Sequence, residues 1–88
     1  MARPPKDAKD VDGAKAPGKP GEAEGFEDPN DGESWSKNPN GKGNGWEDKD
    51  GNVWVPSGKG GRAHAGPHWD VQRPDGTHIN VFPGGRMR

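Results

Sequence analysis

Sixteen glycines and ten prolines, spread along 88 residues, set the limits on what this chain can fold into. Proline lacks a backbone N–H and fixes φ. Glycine loses more conformational freedom on ordering than any other residue. Both therefore interrupt helices and long β ladders. The stretches Arg3-Pro4-Pro5-Lys6-Asp7 and Ala16-Pro17-Gly18-Lys19-Pro20-Gly21 carry no hydrophobic period. Residues 1–32 read as a flexible linker on this basis, and residues 33–88 as the folded unit. Within that unit, 33–45 reads as a loop with Trp35 anchored on the core, and regular order begins at Gly45.

Any core is small and local, because hydrophobic residues make up only 24% of the chain and charged residues 31%, with a mean hydropathy of -1.35. Such a chain has little apolar surface to set against the entropy of ordering. Four tryptophans carry most of it, and most of them belong in the core. There is no cysteine, which removes disulfides and thiol catalysis. No apolar run approaches the length of a membrane helix, and no signal-peptide core is present. The expectation is a domain that does not insert in a membrane and whose export signal lies on a larger precursor or a carrier.

Two hairpins are legible. In the first, Trp46-Glu47-Asp48 and Asn52-Val53-Trp54-Val55 flank Lys49-Asp50-Gly51. Asp-Gly between β-prone runs signals a hairpin. A three-residue loop with Gly51 left-handed pairs Asp48 with Asn52 and sets Trp46 across from Trp54. In the second, His68-Trp69-Asp70-Val71-Gln72 and Thr77-His78-Ile79-Asn80-Val81-Phe82 both alternate polar and apolar residues. Between them Arg73-Pro74-Asp75-Gly76-Thr77 suits a type I turn with Gly76 at a left-handed bulge. That loop pairs Arg73 with Thr77, Gln72 with His78, Asp70 with Asn80 and His68 with Phe82. The opposite face pairs Val71 with Ile79 and Trp69 with Val81. A shift of one residue would mix the faces, so turn chemistry and patterning agree on one register. The fold class expected is mainly β: a small twisted antiparallel sheet of two or more hairpins, with long Gly/Pro-rich loops and a largely irregular N-terminal half.

The polar face of the second hairpin gathers His68, Asp70, Gln72, His78 and Asn80. A solvated sheet face is ordinary, but Lys, Glu, Thr and Ser usually build it. Two imidazoles, a carboxylate and two amides suit acid–base chemistry better. His64 precedes this strand in the loop Pro56–Pro67, whose Gly58-Lys59-Gly60-Gly61 run could cradle a phosphate. RNA cleavage needs a base for the ribose 2′-OH, an acid for the leaving 5′-oxygen and a cation for the phosphate. It needs no metal or cofactor, because the substrate carries its own nucleophile. The expected catalytic residues are His68, Asp70, His78 and His64, with either strand histidine as base or acid. Lys59, Arg62, Arg73 and Arg86 are the expected phosphate contacts, with Gln72 and Asn80 beside them. From Lys59 onward Lys59, Arg62, Arg73, Arg86 and Arg88 face only Asp70 and Asp75, which suits an anionic ligand. The rival chemistry is a metal site. His64 and His68 are four apart, but Gly66 and Pro67 forbid a shared helix face, so His64, His68, His78 and Asp70 would have to bind Zn²⁺ or Mg²⁺ from loop and strand.

The run from Gly45 through Val55-Pro56, then Ala63-His64-Ala65-Gly66-Pro67-His68-Trp69-Asp70-Val71-Gln72, then His78-Ile79-Asn80-Val81-Phe82-Pro83-Gly84-Gly85, resembles the bacterial polymorphic toxin type 37 domain. The likeness extends more loosely through residues 17–21 and 37–41. It implies the C-terminal toxin domain of a large secreted protein, delivered by a contact-dependent or type VI-like system, with a cognate immunity protein. By analogy with neighbouring toxin families it implies a nuclease. Trp69-Asp70-Val71-Gln72 and Asp75-Gly76-Thr77-His78 are also similar to the ribosome-cleaving colicin nucleases. Only Asp70 carries over there, since the histidine and glutamate that follow it in that family are missing. The ending Arg86-Met87-Arg88 is similar to the terminus of barnase-type ribonucleases. Residues 33–88 are thus expected to form a metal-independent ribonuclease toxin acting on tRNA or rRNA in the target-cell cytoplasm. A metal-dependent DNase toxin and a non-enzymatic module that orders on a partner are the alternatives.

Overall fold

A computed structural model describes residues 3–57 and 66–87. Five short strands form one open antiparallel sheet in the simple order β1-β2-β3-β4-β5. They are β1 (Trp35–Lys37), β2 (Asn44–Glu47), β3 (Val53–Ser57), β4 (His68–Gln72) and β5 (His78–Val81). A single 3-10 turn at Glu22–Glu24 is the only helical element among the described residues. The mainly β class read from the sequence therefore holds.

Both hairpin registers are as the turn chemistry dictates. Trp46 pairs with Trp54, and the Asp48 N–H donates to the Asn52 carbonyl at 2.9 Å. Gln72 pairs with His78, Asp70 with Asn80, Val71 with Ile79 and Trp69 with Val81. Gly51 and Gly76 close the two turns with φ of 85° and 92°, the left-handed region where a side chain is strained.

Two strand features differ from the sequence reading. Trp35 lies on a strand, not a loop, with Trp46 as its partner. β3 also runs on through Pro56 and Ser57, which pair with Trp69 and His68. Proline is tolerated there because β2 pairs only with Val53 and Trp54, so on that side Pro56 has no ladder bond to lose.

The four tryptophans form the core. Trp46 is fully buried, and Trp35, Trp54 and Trp69 nearly so. Edge-on contacts link Trp35 with Trp46, and Trp54 with both Phe26 and Trp69, at centroid separations of 5.1, 5.3 and 6.0 Å. Each such pair stabilises by about 0.5–1.5 kcal/mol beyond the area it buries.

The segment read as linker covers this face. It is irregular apart from the 3-10 turn, yet Ala8 and Phe26 belong to the core cluster, and Ala16 is buried. Lys19 reaches over the Trp46 ring at 5.3 Å while bonding Asp28 at 3.0 Å and Glu33 at 2.8 Å. Composition alone gives no sign of this packing, because a few anchors in a polar segment carry it.

Candidate functional site

Strand alternation divides the sheet into two faces. Trp69, Val71, Ile79 and Val81 point to the tryptophan core. His68, Asp70 and Gln72 share the other face of β4, with Asn80 and His78 across from Asp70 and Gln72 on β5. On β3, Ser57, Val55 and Val53 lie across from His68, Asp70 and Gln72.

This face is less solvated than its residue types suggest. His68 and Gln72 are each only 8% exposed, and Phe82 and Val53 are buried beside them. The His68 ring packs on Phe82 at 5.2 Å between centroids. Its Nδ1 lies 3.1 Å from the Gly66 carbonyl oxygen. A carbonyl only accepts, so Nδ1 carries the hydrogen, and in the neutral ring Nε2 is left with its lone pair. In this tautomer Nε2 is the nitrogen that can accept a proton. Asp70 is half-buried, and its Oδ1 is buried with no hydrogen-bond partner among the described residues. An oxygen in that state has acceptor capacity to spare.

The histidines do not form a pair. His78 stands opposite Gln72, four residues along β4 from His68. At about 3.3 Å per residue the two lie roughly 13 Å apart along the strand. Side chains stand nearly perpendicular to a sheet, so convergence does not close that gap. His78 is exposed, and next to it the Asn40 amide donates to Gln72 Oε1 at 3.3 Å and to the Arg73 carbonyl at 2.8 Å. Gln72 thus anchors the β1–β2 loop.

The predicted cations also separate. Arg73 falls on the tryptophan side by alternation and lines a cleft of about 180 Å³ with Asp48, Asp50, Asn52, Trp54 and Val71. It is thus on the wrong side of the sheet to serve His68. Arg86 is on the right side. Its guanidinium lies 4.8 Å from the centre of the same Phe82 ring that His68 packs on. Lys59, Arg62 and His64 lie outside the described residues. Among the described residues no group of three or more histidine and carboxylate side chains comes together to hold a metal.

Sequence reasoning missed Ser57, Phe82 as the shared partner of His68 and Arg86, and Asn40. Phe82 was the detectable one, since the predicted register already put it opposite His68. A larger cleft, of about 440 Å³, is lined by Lys19, Pro20, Gly21, Glu22, Phe26, Glu27 and Asp28, away from the histidines.

Fold and site together define a small cysteine-free β domain with a tryptophan core on one sheet face and His68 and Asp70 on the other. The chain belongs to the bacterial toxin 37 family, which it matches over residues 14–85. It is therefore a bacterial toxin domain, of a kind that is secreted or delivered. No curated protein and no solved structure matches it.

Proposed function

We propose that this toxin domain is a ribonuclease that cleaves tRNA or rRNA in the target-cell cytoplasm, using His68 as general base with Asp70 beside it. The observation that carries the reading is the contact between His68 Nδ1 and the Gly66 carbonyl, which leaves Nε2 free to take a proton. His68 Nε2 accepts the 2′-OH proton of a ribose. The 2′-oxygen attacks the adjacent phosphorus, a P–O2′ bond forms and the P–O5′ bond breaks. The proton returns to the 5′-oxygen from the imidazolium or from His64. Asp70, two residues on along the same face, stabilises the imidazolium while it exists. The products are a 2′,3′-cyclic phosphate and a 5′-OH. No metal is part of the scheme, because the nucleophile belongs to the substrate. A cognate immunity protein is the expected protein partner.

Incubating the purified domain with total RNA, with and without EDTA, tests the reading. Cleavage that survives EDTA and leaves cyclic phosphate ends supports it. EDTA-sensitive degradation, of DNA in particular, contradicts it in favour of a metal-dependent nuclease. Intact RNA under both conditions favours a binding module.

A further inference from the structure

His68 and Arg86 both lie against the Phe82 ring, one an imidazole and the other a fixed positive charge. The chain reverses after β5 through Pro83-Gly84-Gly85. The Phe82 N–H donates to the Arg86 carbonyl at 2.7 Å, and the Gly85 N–H to the Phe82 carbonyl at 2.9 Å. Met87 then bridges back to Val81. This turn folds Arg86 back over the end of β5. A guanidinium held over a ring by cation–π attraction keeps N–H groups that can grip a phosphate in two-pronged fashion. No carboxylate pairs with Arg86 among the described residues, and its side chain is exposed.

The turn is fastened from the other end of the chain. Glu24 Oε2 accepts the Gly84 N–H at 2.7 Å, while its Oε1 accepts the Gly21 N–H, also at 2.7 Å. A Cβ on Gly85 would come within 2.5 Å of the Ala23 carbonyl oxygen, so the two turns are in close contact. Glu24 therefore ties the N-terminal segment to the turn that carries Arg86.

We propose that Arg86 is the phosphate-binding residue of the His68 site, and that Glu24 is its positioning residue, acting through the Pro83–Gly85 turn. The ligand class is a nucleic-acid phosphodiester, and the cleavage it would serve rests on the ribonuclease reading above. Arg86 carries the charge, Phe82 holds it against the ring, and Glu24 fixes the turn.

The test uses a 2′-O-methyl oligoribonucleotide, which binds but has no nucleophile, so affinity is read apart from chemistry. Arg86→Ala is expected to weaken binding about tenfold and to lower the slope of log affinity against log salt by about one phosphate contact. Arg86→Lys is expected to restore the salt slope but not the full affinity, because an ammonium lacks the planar fork. Glu24→Ala is expected to weaken binding with the salt slope nearly kept, and Glu24→Gln to recover part of the loss. On unmodified RNA, His68→Ala is expected to lose cleavage. Unchanged affinity and salt slope in Arg86→Ala would overturn the phosphate assignment. A Glu24→Ala variant that binds like the parent would overturn the positioning role. If Arg86→Ala weakens binding while the parent cleaves no RNA, the binding site stands and the catalytic reading fails.

Discussion

The Trp69 indole N–H donates to the Gly18 carbonyl at 2.7 Å, joining residues 51 positions apart in a buried hydrogen bond. It fastens the irregular N-terminal segment to the strand that carries His68 and Asp70. Trp69→Phe leaves that carbonyl unpaired, and an unpartnered buried acceptor costs about 1–3 kcal/mol. The variant is expected to unfold at lower denaturant by that amount, and its residues 3–20 to become open to limited proteolysis. A parent domain cut in that segment as fast as the variant would show that the segment is not docked.

A second anchor is Asp48, buried at the foot of the first hairpin. Its Oδ1 accepts the backbone N–H groups of Asp50 and Asn52 at 2.9 and 3.0 Å, and its Oδ2 accepts the Asn52 amide and the Trp54 indole at 3.1 and 3.0 Å. Asp48→Ala orphans all four donors, one of them the indole of a core residue. A loss of about 3 kcal/mol is expected, read as a shifted denaturant midpoint with an unchanged slope. Asp48→Asn keeps acceptor capacity on one side only and should fall between the two.

Gly45 lies where the sheet allows no side chain. A Cβ built there comes within 2.8 Å of the Val55 Cα and closer still to the Trp54 carbonyl. Both neighbours are backbone of β3, so they can yield only by parting β2 from β3. Gly45→Ala is expected to be among the most destabilising small substitutions in the domain, by several kcal/mol, whereas most single changes cost about 1 kcal/mol. Thermal unfolding of the variant checks this, with Gly41→Ala as a control. At Gly41 the nearest atom to an added Cβ is the Asn38 side-chain nitrogen at 3.7 Å.

Acid should loosen the N-terminal segment first. Hydrogen bonds from Lys19 and then Lys9 hold the Glu33 carboxyl below its ordinary value of 4.5. Burial works against the Lys19 charge, but its bonds to Glu33 and Asp28 outweigh this and raise it above 10.5. A carboxyl whose folded value is depressed adds stability above the unfolded value, and that stability is lost as pH falls through the folded one. Lys19 contributes below 10.5 and loses its share only as pH rises past its raised value. Stability is therefore expected to drop as pH falls below 4.5, and Glu33→Gln to flatten that limb. Denaturant midpoints at neutral and acid pH measure both. The Lys9–Glu33 pair is exposed and the Lys19–Glu33 pair only partly so, so added salt should shrink part of the difference.

The second hairpin was legible because two independent signals agreed. Pro74-Asp75-Gly76 fixed the loop length, and the Trp69/Val71 and Ile79/Val81 alternation fixed the faces. The site was legible only in part for the same reason. Alternation says which side of β4 a residue occupies, so it gathered His68, Asp70 and Asn80 correctly and could have moved Arg73 to the other side. It says nothing of distance along the strand until the register is counted out, and that count separates His78 from His68. The docking of Ala8, Gly18 and Phe26 left no periodic trace, since three contacts from an irregular chain make no pattern. Arg86 depends on a turn that reverses the chain after β5, and Gly84-Gly85 marks a turn without stating its direction.

The central claim is that one imidazole, that of His68, acts as base on RNA at this face. It is tested most directly by the cleavage rates of His68→Ala and His78→Ala on the same RNA, with the cut ends mapped. Cyclic phosphate ends are expected from the parent, with a loss of at least about a hundredfold in His68→Ala, in line with removal of a general base, and near-parent cleavage by His78→Ala. Full activity in a folded His68→Ala variant would contradict it.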